Sequence, residues 1–263
     1  MRLAPVLLAA LVLAPACDRT KEPTPEEIAA KLETDIADAA ARLRNNKVED
    51  AEKIYLRILE GHADHPVAVG GLGRVRLEQS KYDEAEQLLT KAVAAAADDA
   101  SLHASLGQAR AMQGKFAEAA QAYGQAFALA ADNSEYGLSY GRQLKKAEQF
   151  AKAEEVLREV ADLDPKAQFV FTELGDALRG QGKHEEALRT YMKAQNTYRS
   201  DKMAHAGAAM AYEAMGDPKH AKDEWASYIT MDCCSEFSKT VAQEKIETLG
   251  EGEPPADPDD QAG

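Results

Sequence analysis

Positive charge is in deficit, with 31 lysines and arginines against 45 aspartates and glutamates in 263 residues, a formal net charge of −14. Nucleic-acid binding draws its affinity from clustered Lys and Arg, so that class is set aside. The same deficit argues against a protein held on anionic lipid by charge alone. There are three cysteines, and no His or second cysteine cluster stands near them at metal-ligand spacing, so no metal site is expected. Aromatics are 6% of the chain, which, with modest proline and glycine and abundant alanine, suits helices packed closely through small residues. The apolar run Leu3–Leu13 falls short of the roughly 20 residues that cross a bilayer. No nucleophile elbow, phosphate-cradling glycine loop or paired-carboxylate motif appears, so neither catalysis nor a cofactor is expected.

The opening 17 residues, MRLAPVLLAALVLAPAC, place Arg2 before the apolar run, then small residues, then Cys17. That order resembles a bacterial lipoprotein signal, in which the cysteine becomes the first residue and carries acyl chains. The resemblance implies loss of 1–16, lipidation of Cys17, and a place on the periplasmic face of the outer or inner membrane. Ala14 stands where that family prefers leucine, with Leu13 one place back, and Pro15 is unusual so near the cut. An ordinary signal peptide cleaved nearby is the alternative. Residues 17–25 contain no large apolar side chain and read as a tether stiffened by Pro23 and Pro25. Pro25 suits the first turn of a helix, and Glu26 and Glu27 suit the positive end of its dipole.

An internal echo organises the rest of the chain. QGKFAEAAQAY at 113–123 returns as QGKHEEALRTY at 181–191, and a further copy begins at Glu148. One small residue recurs every 34 positions, as Ala51, Ala85, Ala119, Ala153, Ala187 and Ala221. A period of that length signals stacked helical hairpins. Aligned on this alanine, the units run 32–65, 66–99, 100–133, 134–167, 168–201 and 202–235. The eighth places hold Ala39, Gly73, Gly107, Gly141, Gly175 and Ala209, and the twenty-fourth hold Tyr55, Leu89, Tyr123, Leu157, Tyr191 and Trp225. Small residues let two backbones approach, and large ones fill the space beside the crossing. Turns at Asn45-Asn46, Gln113-Gly114, Gln181-Gly182 and Met215-Gly216 supply residues that adopt the left-handed conformation closing a helix.

These places match the small-large pattern of the tetratricopeptide repeat family, which the segment 32–235 resembles six times in register. The closing proline appears only as Pro165 and the fourth-place aromatic only as Phe171; Asp35 and Asp38 mark a solvated first unit. The resemblance implies an all-α, right-handed superhelical solenoid over 26–235, with a concave groove lined by the first helix of each unit. In this register the ninth and twelfth places put Arg74, Gln108, Arg142, Lys145, Asp176 and Arg179 in the groove. They read either as a partly basic patch for a partner's carboxylates or carbonyls, or as a solvated face in which Arg142 pairs with Asp176. The two-carboxylate clamp of chaperone-binding relatives is disfavoured, because Gly70, Ala104 and Leu138 hold fifth places where it needs polar side chains.

Residues 236–250 read as a capping helix, with Ser235 at its start and Phe237, Val241 and Leu249 covering the stack's end. The stretch 251–263, EGEPPADPDDQAG, is acidic and Pro-rich and is expected to stay disordered. Adjacent Cys233 and Cys234 pair with each other only through a strained ring, leaving a buried thiol pair or an intermolecular bond open. His62 and His65 read as loop polarity, and His103 and His205 as core or rim residues. The expectation is a non-enzymatic scaffold binding a protein or peptide in the groove and a membrane through lipid on Cys17. Its overall plan is similar to pilotins, which help secretin rings of pilus or secretion systems to assemble. A soluble periplasmic adaptor subunit of an envelope enzyme or export complex is the alternative.

Overall fold

The computed structural model describes residues 24–232 and 234–249; Cys17, Cys233 and the acidic stretch 251–263 lie outside the described residues. Helices come in pairs: α1 (Pro25–Arg44) with α2 (Val48–Gly61), α3 (Pro66–Glu78) with α4 (Tyr82–Ala95), α5 (Ala100–Met112) with α6 (Phe116–Leu129). Then follow α7 (Ser134–Lys146) with α8 (Phe150–Leu163), α9 (Val170–Gly180) with α10 (His184–Thr197), and α11 (Lys202–Ala214) with α12 (Pro218–Met231). A π-helical turn, Ser238–Ala242, runs into the closing α13 (Gln243–Leu249). Among the described residues there is no strand, and no helix is long and apolar enough to cross a membrane.

The way each hairpin closes is written into one recurring conformation. Asn46, Ser80, Gly114, Glu148, Gly182 and Gly216 all have φ between 57° and 76°, one per pair, 34 residues apart. The amide after each donates back to the third-last helical carbonyl, as in Lys47 to Arg42 and Lys183 to Leu178, the Schellman closure. Glycine and asparagine enter this region readily, whereas a glutamate meets its own carbonyl at a cost of about 1–2 kcal/mol. Glu148→Gly is therefore expected to raise the denaturation midpoint by the equivalent of about 1 kcal/mol, read in a urea titration.

The recurring alanines are all fully buried, at 0% exposure. Opposite each pair's first helix, the large twenty-fourth residue lies on the eighth-place glycine. A Cβ on Gly73, Gly107, Gly141 or Gly175 would come within 2.7 Å of Leu89, Tyr123, Leu157 or Tyr191 respectively. Those contacts fix how closely the two helices of a pair cross, and they leave no room for a side chain.

Helix α1 begins at Pro25, as the sequence implies, and Thr24 and Glu27 exchange hydrogen bonds in a capping box there. Asp35 and Asp38, solvated in the first unit, pair there with Arg57 at 3.2 Å and Arg42 at 3.0 Å. Two features depart from the sequence register, each for a local reason. Helix α9 starts two residues late, after Phe169 at φ 67°. Its cap position holds Ala167, where His65, Asp99, Asn133 and Asp201 accept helix amides in other units. At the C-terminal end Ser235 does accept the Ser238 amide at 3.1 Å. Val241, however, is 39% exposed, while Ala242 is buried and Ile246 and Leu249 pack on Trp225 and Tyr228. The π turn adds a residue to the helix, so the apolar face slips from 241 to 242. Phe237 keeps its role through ring contacts of 6.2 Å to Trp225 and 5.6 Å to Tyr228.

First helices of successive pairs touch one another, α1 with α3, α3 with α5, α7 with α9 and α9 with α11. No pair of second helices packs as closely. The stack therefore curves with the first helices on the inside, and their outward residues line the concave face.

Candidate partner-binding groove

Along that face the side chains divide into two regions with different electrostatics. In the centre, the Arg142 Nε donates to Glu173 Oε1 at 2.7 Å, and Lys145 Nζ lies 2.7 Å from Glu173 Oε2 and also bonds Asp176. Arg179 Nη2 is 3.9 Å from Asp176, whose Oδ1 accepts the Tyr191 hydroxyl at 2.7 Å. Burial lowers the pKa of the Lys145 ammonium, but Asp176 and Glu173 outweigh it and hold it above its usual value. For Tyr191 burial and the Asp176 charge both act upward, so its hydroxyl keeps its proton at any ordinary pH. The pairing of Arg142 with Asp176 suggested by register is replaced by one with Glu173, since a step of 31 residues brings each ninth place to the next unit's sixth. Arg142 and Lys145 are thus already neutralised. Reversing both to glutamate would gather four carboxylates and test stability rather than binding.

Toward the N-terminus the same step gives a different result. Arg74 Nε donates to Ser105 Oγ and its Nη2 to Ser101 Oγ, both at 2.9 Å, and Ser101 Oγ in turn donates to Asp99 Oδ1 at 2.6 Å. Gln108 between the two regions is exposed. An open cleft of about 420 Å³ lies where α9 starts late, lined by Glu135, Leu138, Arg142, Asp164 and Phe169 among others.

Two family models described as tetratricopeptide repeat match residues 34–109 and 138–197, together more than half of the chain. The chain belongs to the tetratricopeptide repeat family. Among solved structures, PilF of Pseudomonas aeruginosa is similar at a TM-score of 0.64 and 17% identity, over 81% of this chain and 97% of that one. YrrB, a TPR protein with an unusual peptide-binding site, is similar at 0.60 and 15% identity, over 72% and 97%. MamA from Desulfovibrio magneticus RS-1 is similar at 0.60 and 18% identity, over 66% and 98%. At these identities the likeness shows the fold. No curated protein matches the sequence. TPR arrays bind proteins or peptides.

The TPR register did not reveal a second set of contacts on the outer edge. Glu86 accepts Arg110 at 2.9 Å, Gln113 at 3.1 Å and Lys115 at 2.7 Å, and Gln113 also donates to the Tyr82 carbonyl. Glu52 with Gln79 and Glu154 with Gln181 repeat the arrangement, each 27 residues apart. At the remaining two junctions both places turn apolar together, as Ala120 with Ala147 and Leu188 with Met215. That paired switching was readable in the sequence. The Lys115 ammonium, aided by Arg110 and Gln113, holds the Glu86 carboxyl at about 2 instead of its ordinary 4.5. The stability this confers is complete above the unfolded value and is lost as pH falls toward 2. The gap in melting temperature between wild type and Glu86→Gln should accordingly narrow as pH drops from 5 to 2.

Three of the histidines make local structural contacts. His65 Nδ1 accepts the Ala68 amide, His103 Nε2 meets the Ala97 carbonyl at 2.9 Å, and His205 Nδ1 meets Glu224 at 2.6 Å. Among the described residues no three His, Cys, Asp or Glu side chains group in a way that could hold a metal ion. Cys234 is exposed.

Proposed function

We propose that this TPR protein is a non-enzymatic scaffold, tethered through lipid on Cys17 to the periplasmic face of a bacterial membrane, that holds a protein partner while an envelope complex assembles. The observation that carries the reading is the concave face of the first helices, which offers an extended surface for a partner. Arg74, Gln108, Arg142, Lys145, Asp176 and Arg179 mark its line; Gln108 is exposed, and Arg74 is held by serine hydroxyls where Arg142 and Lys145 are held by carboxylates. A fold relative, YrrB, has a peptide-binding site, which supports a peptide as the occupant. The signal-type start and the short segment before Thr24 support the tether, and this plan is similar to that of pilotins serving secretin rings.

Two measurements test it. Metabolic labelling with a palmitate analogue should mark the wild type and be lost in Cys17→Ser; equal labelling of both removes the tether and leaves a soluble adaptor. Capture from detergent-solubilised envelopes should recover an outer-membrane or cell-wall protein. Recovery of cytosolic chaperones alone would contradict the assignment.

A further inference from the structure

The fifth repeat departs from its neighbours at one place, and the departure leaves a cleft in the groove wall. Helices α5, α7 and α11 begin directly after Asp99, Asn133 and Asp201, whereas α9 begins at Val170, three residues after Ala167. Among the described non-glycine residues with positive φ, Asn46, Ser80 and Glu148 close hairpins, while Phe169, at φ 67°, opens a helix. That conformation is sparsely populated for a bulky side chain and persists only where surrounding bonds enforce it. They do so here. Asp164 Oδ1 accepts the Lys166 amide at 3.0 Å, and the Lys166 carbonyl accepts the Tyr198 hydroxyl. The Asp164 and Ala167 carbonyls accept the Ala167 and Val170 amides at 2.9 and 3.1 Å. The cleft of about 420 Å³ at this turn is thus held open by the fold.

Its walls carry both a ring and charge. Leu138 is buried at the floor, and the half-buried Phe169 turns part of its ring to solvent. Four ionisable side chains line the cleft: Glu135, Asp164, Arg142 and Lys166. Glu173 neutralises the Arg142 guanidinium at 2.7 Å, which leaves two carboxylates against one uncompensated cation. That cation, Lys166, is exposed, and its long stem lets the ammonium turn out into water. Glu135 lies in the first turn of α7, and its carboxylate makes no ion pair or hydrogen bond among the described residues. Gln108 stands beside it in register. A step of 27 residues joins Arg74 to Ser101 at 2.9 Å, and the same step relates Gln108 to Glu135 and Arg142 to Phe169. Arg142 and Phe169 do line one cleft, so the step holds in this part of the stack.

We propose that this cleft binds an arginine side chain of a partner peptide. The proposal rests on the reading of the concave face as the binding surface, and deepens it by naming the partner's chemistry. The aliphatic stem of the arginine covers the apolar floor at Leu138. Its guanidinium donates to the Glu135 carboxylate and stacks on the Phe169 ring, two interactions that arginine makes at once and lysine does not. A chain of net charge −14 attracts basic segments along its whole surface, and the cleft supplies the fixed end point. Gln108, one unit back, offers both a donor and an acceptor to the neighbouring peptide backbone.

The probe is the pentapeptide acetyl-Ala-Ala-Arg-Ala-Ala-amide, with its citrulline counterpart as the neutral isostere, titrated into the full chain and followed by NMR. The Phe169 backbone amide and the Gln108 side-chain amide should shift to saturation with the arginine peptide and stay in place with the citrulline peptide. Glu135→Gln should weaken binding by about tenfold, the usual effect of removing one hydrogen bond to a charged group. Phe169→Asn removes the ring with a residue that tolerates the left-handed conformation, and should weaken binding by about two- to fivefold. Glu155→Gln, at an exposed carboxylate on α8, should leave binding unchanged. Equal shifts with both peptides, or undiminished binding in Glu135→Gln, would overturn the proposal. So would a loss as large in Glu155→Gln, since the peptide would then be answering the net charge of the chain. A partner that still occupies the groove at Gln108 but is indifferent to Glu135→Gln and Phe169→Asn would remove this site and leave the groove reading intact.

Discussion

Gly141→Leu will melt at a lower temperature than the parent, by the equivalent of at least about 1–3 kcal/mol, or roughly 2–4 °C for each kcal/mol in a domain of this size. The reason lies in one contact. A Cβ at Gly141 would stand 2.6 Å from both Cγ and Cδ2 of Leu157, and Leu157 is itself fully buried with no free volume to retreat into. The remaining atoms of the leucine would have to separate α7 from α8 at the crossing that every unit uses. A control separates this from a general intolerance of change. Gly61, at the end of α2, has nothing within 4 Å of its notional Cβ, so Gly61→Ala should leave the curve where it is. An unchanged melting curve for Gly141→Leu would mean that position 141 is not the eighth place of its repeat.

The second large effect is expected at Tyr191. Tyr191→Ala removes a ring that packs against Gly175 and Gly207 in two successive repeats, and should cost about 3–5 kcal/mol, as other buried aromatic truncations do. Both glycines are there to admit the ring, so no neighbouring side chain is positioned to fill the hole. Tyr191→Phe keeps the ring and removes only the hydroxyl that donates to Asp176. It should cost about 1–3 kcal/mol, since the carboxylate keeps Lys145 as a partner. Equal losses for the two variants in denaturant titrations would show that the hydrogen bond, not the packing, holds this junction.

These contacts also show how much could be read from the chain alone. The hairpin crossings were legible because packing constrains residue size: alanine at one place and glycine against a large residue at another recur at a fixed period. Four of the six left-handed turn residues were legible because asparagine and glycine are the types that favour that conformation. Ser80 and Glu148 were not, since neither type signals it, and only the helical closure around them enforces it. The late start of α9 follows from Ala167, a residue defined by the cap it does not provide. The slip from Val241 to Ala242 needed the π turn, which no periodicity of 3.6 anticipates. In the groove, attention to ninth and twelfth places found Arg142, Lys145, Asp176 and Arg179 but passed over Glu173 and the Tyr191 hydroxyl that pair with them. Those partners sit on the next helix or behind the face, and a register describes one helix at a time.

The same pairing changes what the groove offers. All four of its central charges are paired, with each other or with Glu173 and Tyr191, which gives that stretch rigidity and little residual attraction for an ion. Gln108 and the Arg74 end are left to meet a partner. If the concave face, and not the outer edge, carries the protein's partner, proximity in the cell envelope should show it. Site-specific photo-crosslinking in intact envelopes reads that proximity, with benzoylphenylalanine placed either at Gln108 on the concave face or at Thr90, exposed on α4 outside it. The expected result is one discrete adduct with an envelope protein from position 108 and none from position 90. The same adduct from both positions, or one from position 90 alone, would contradict it.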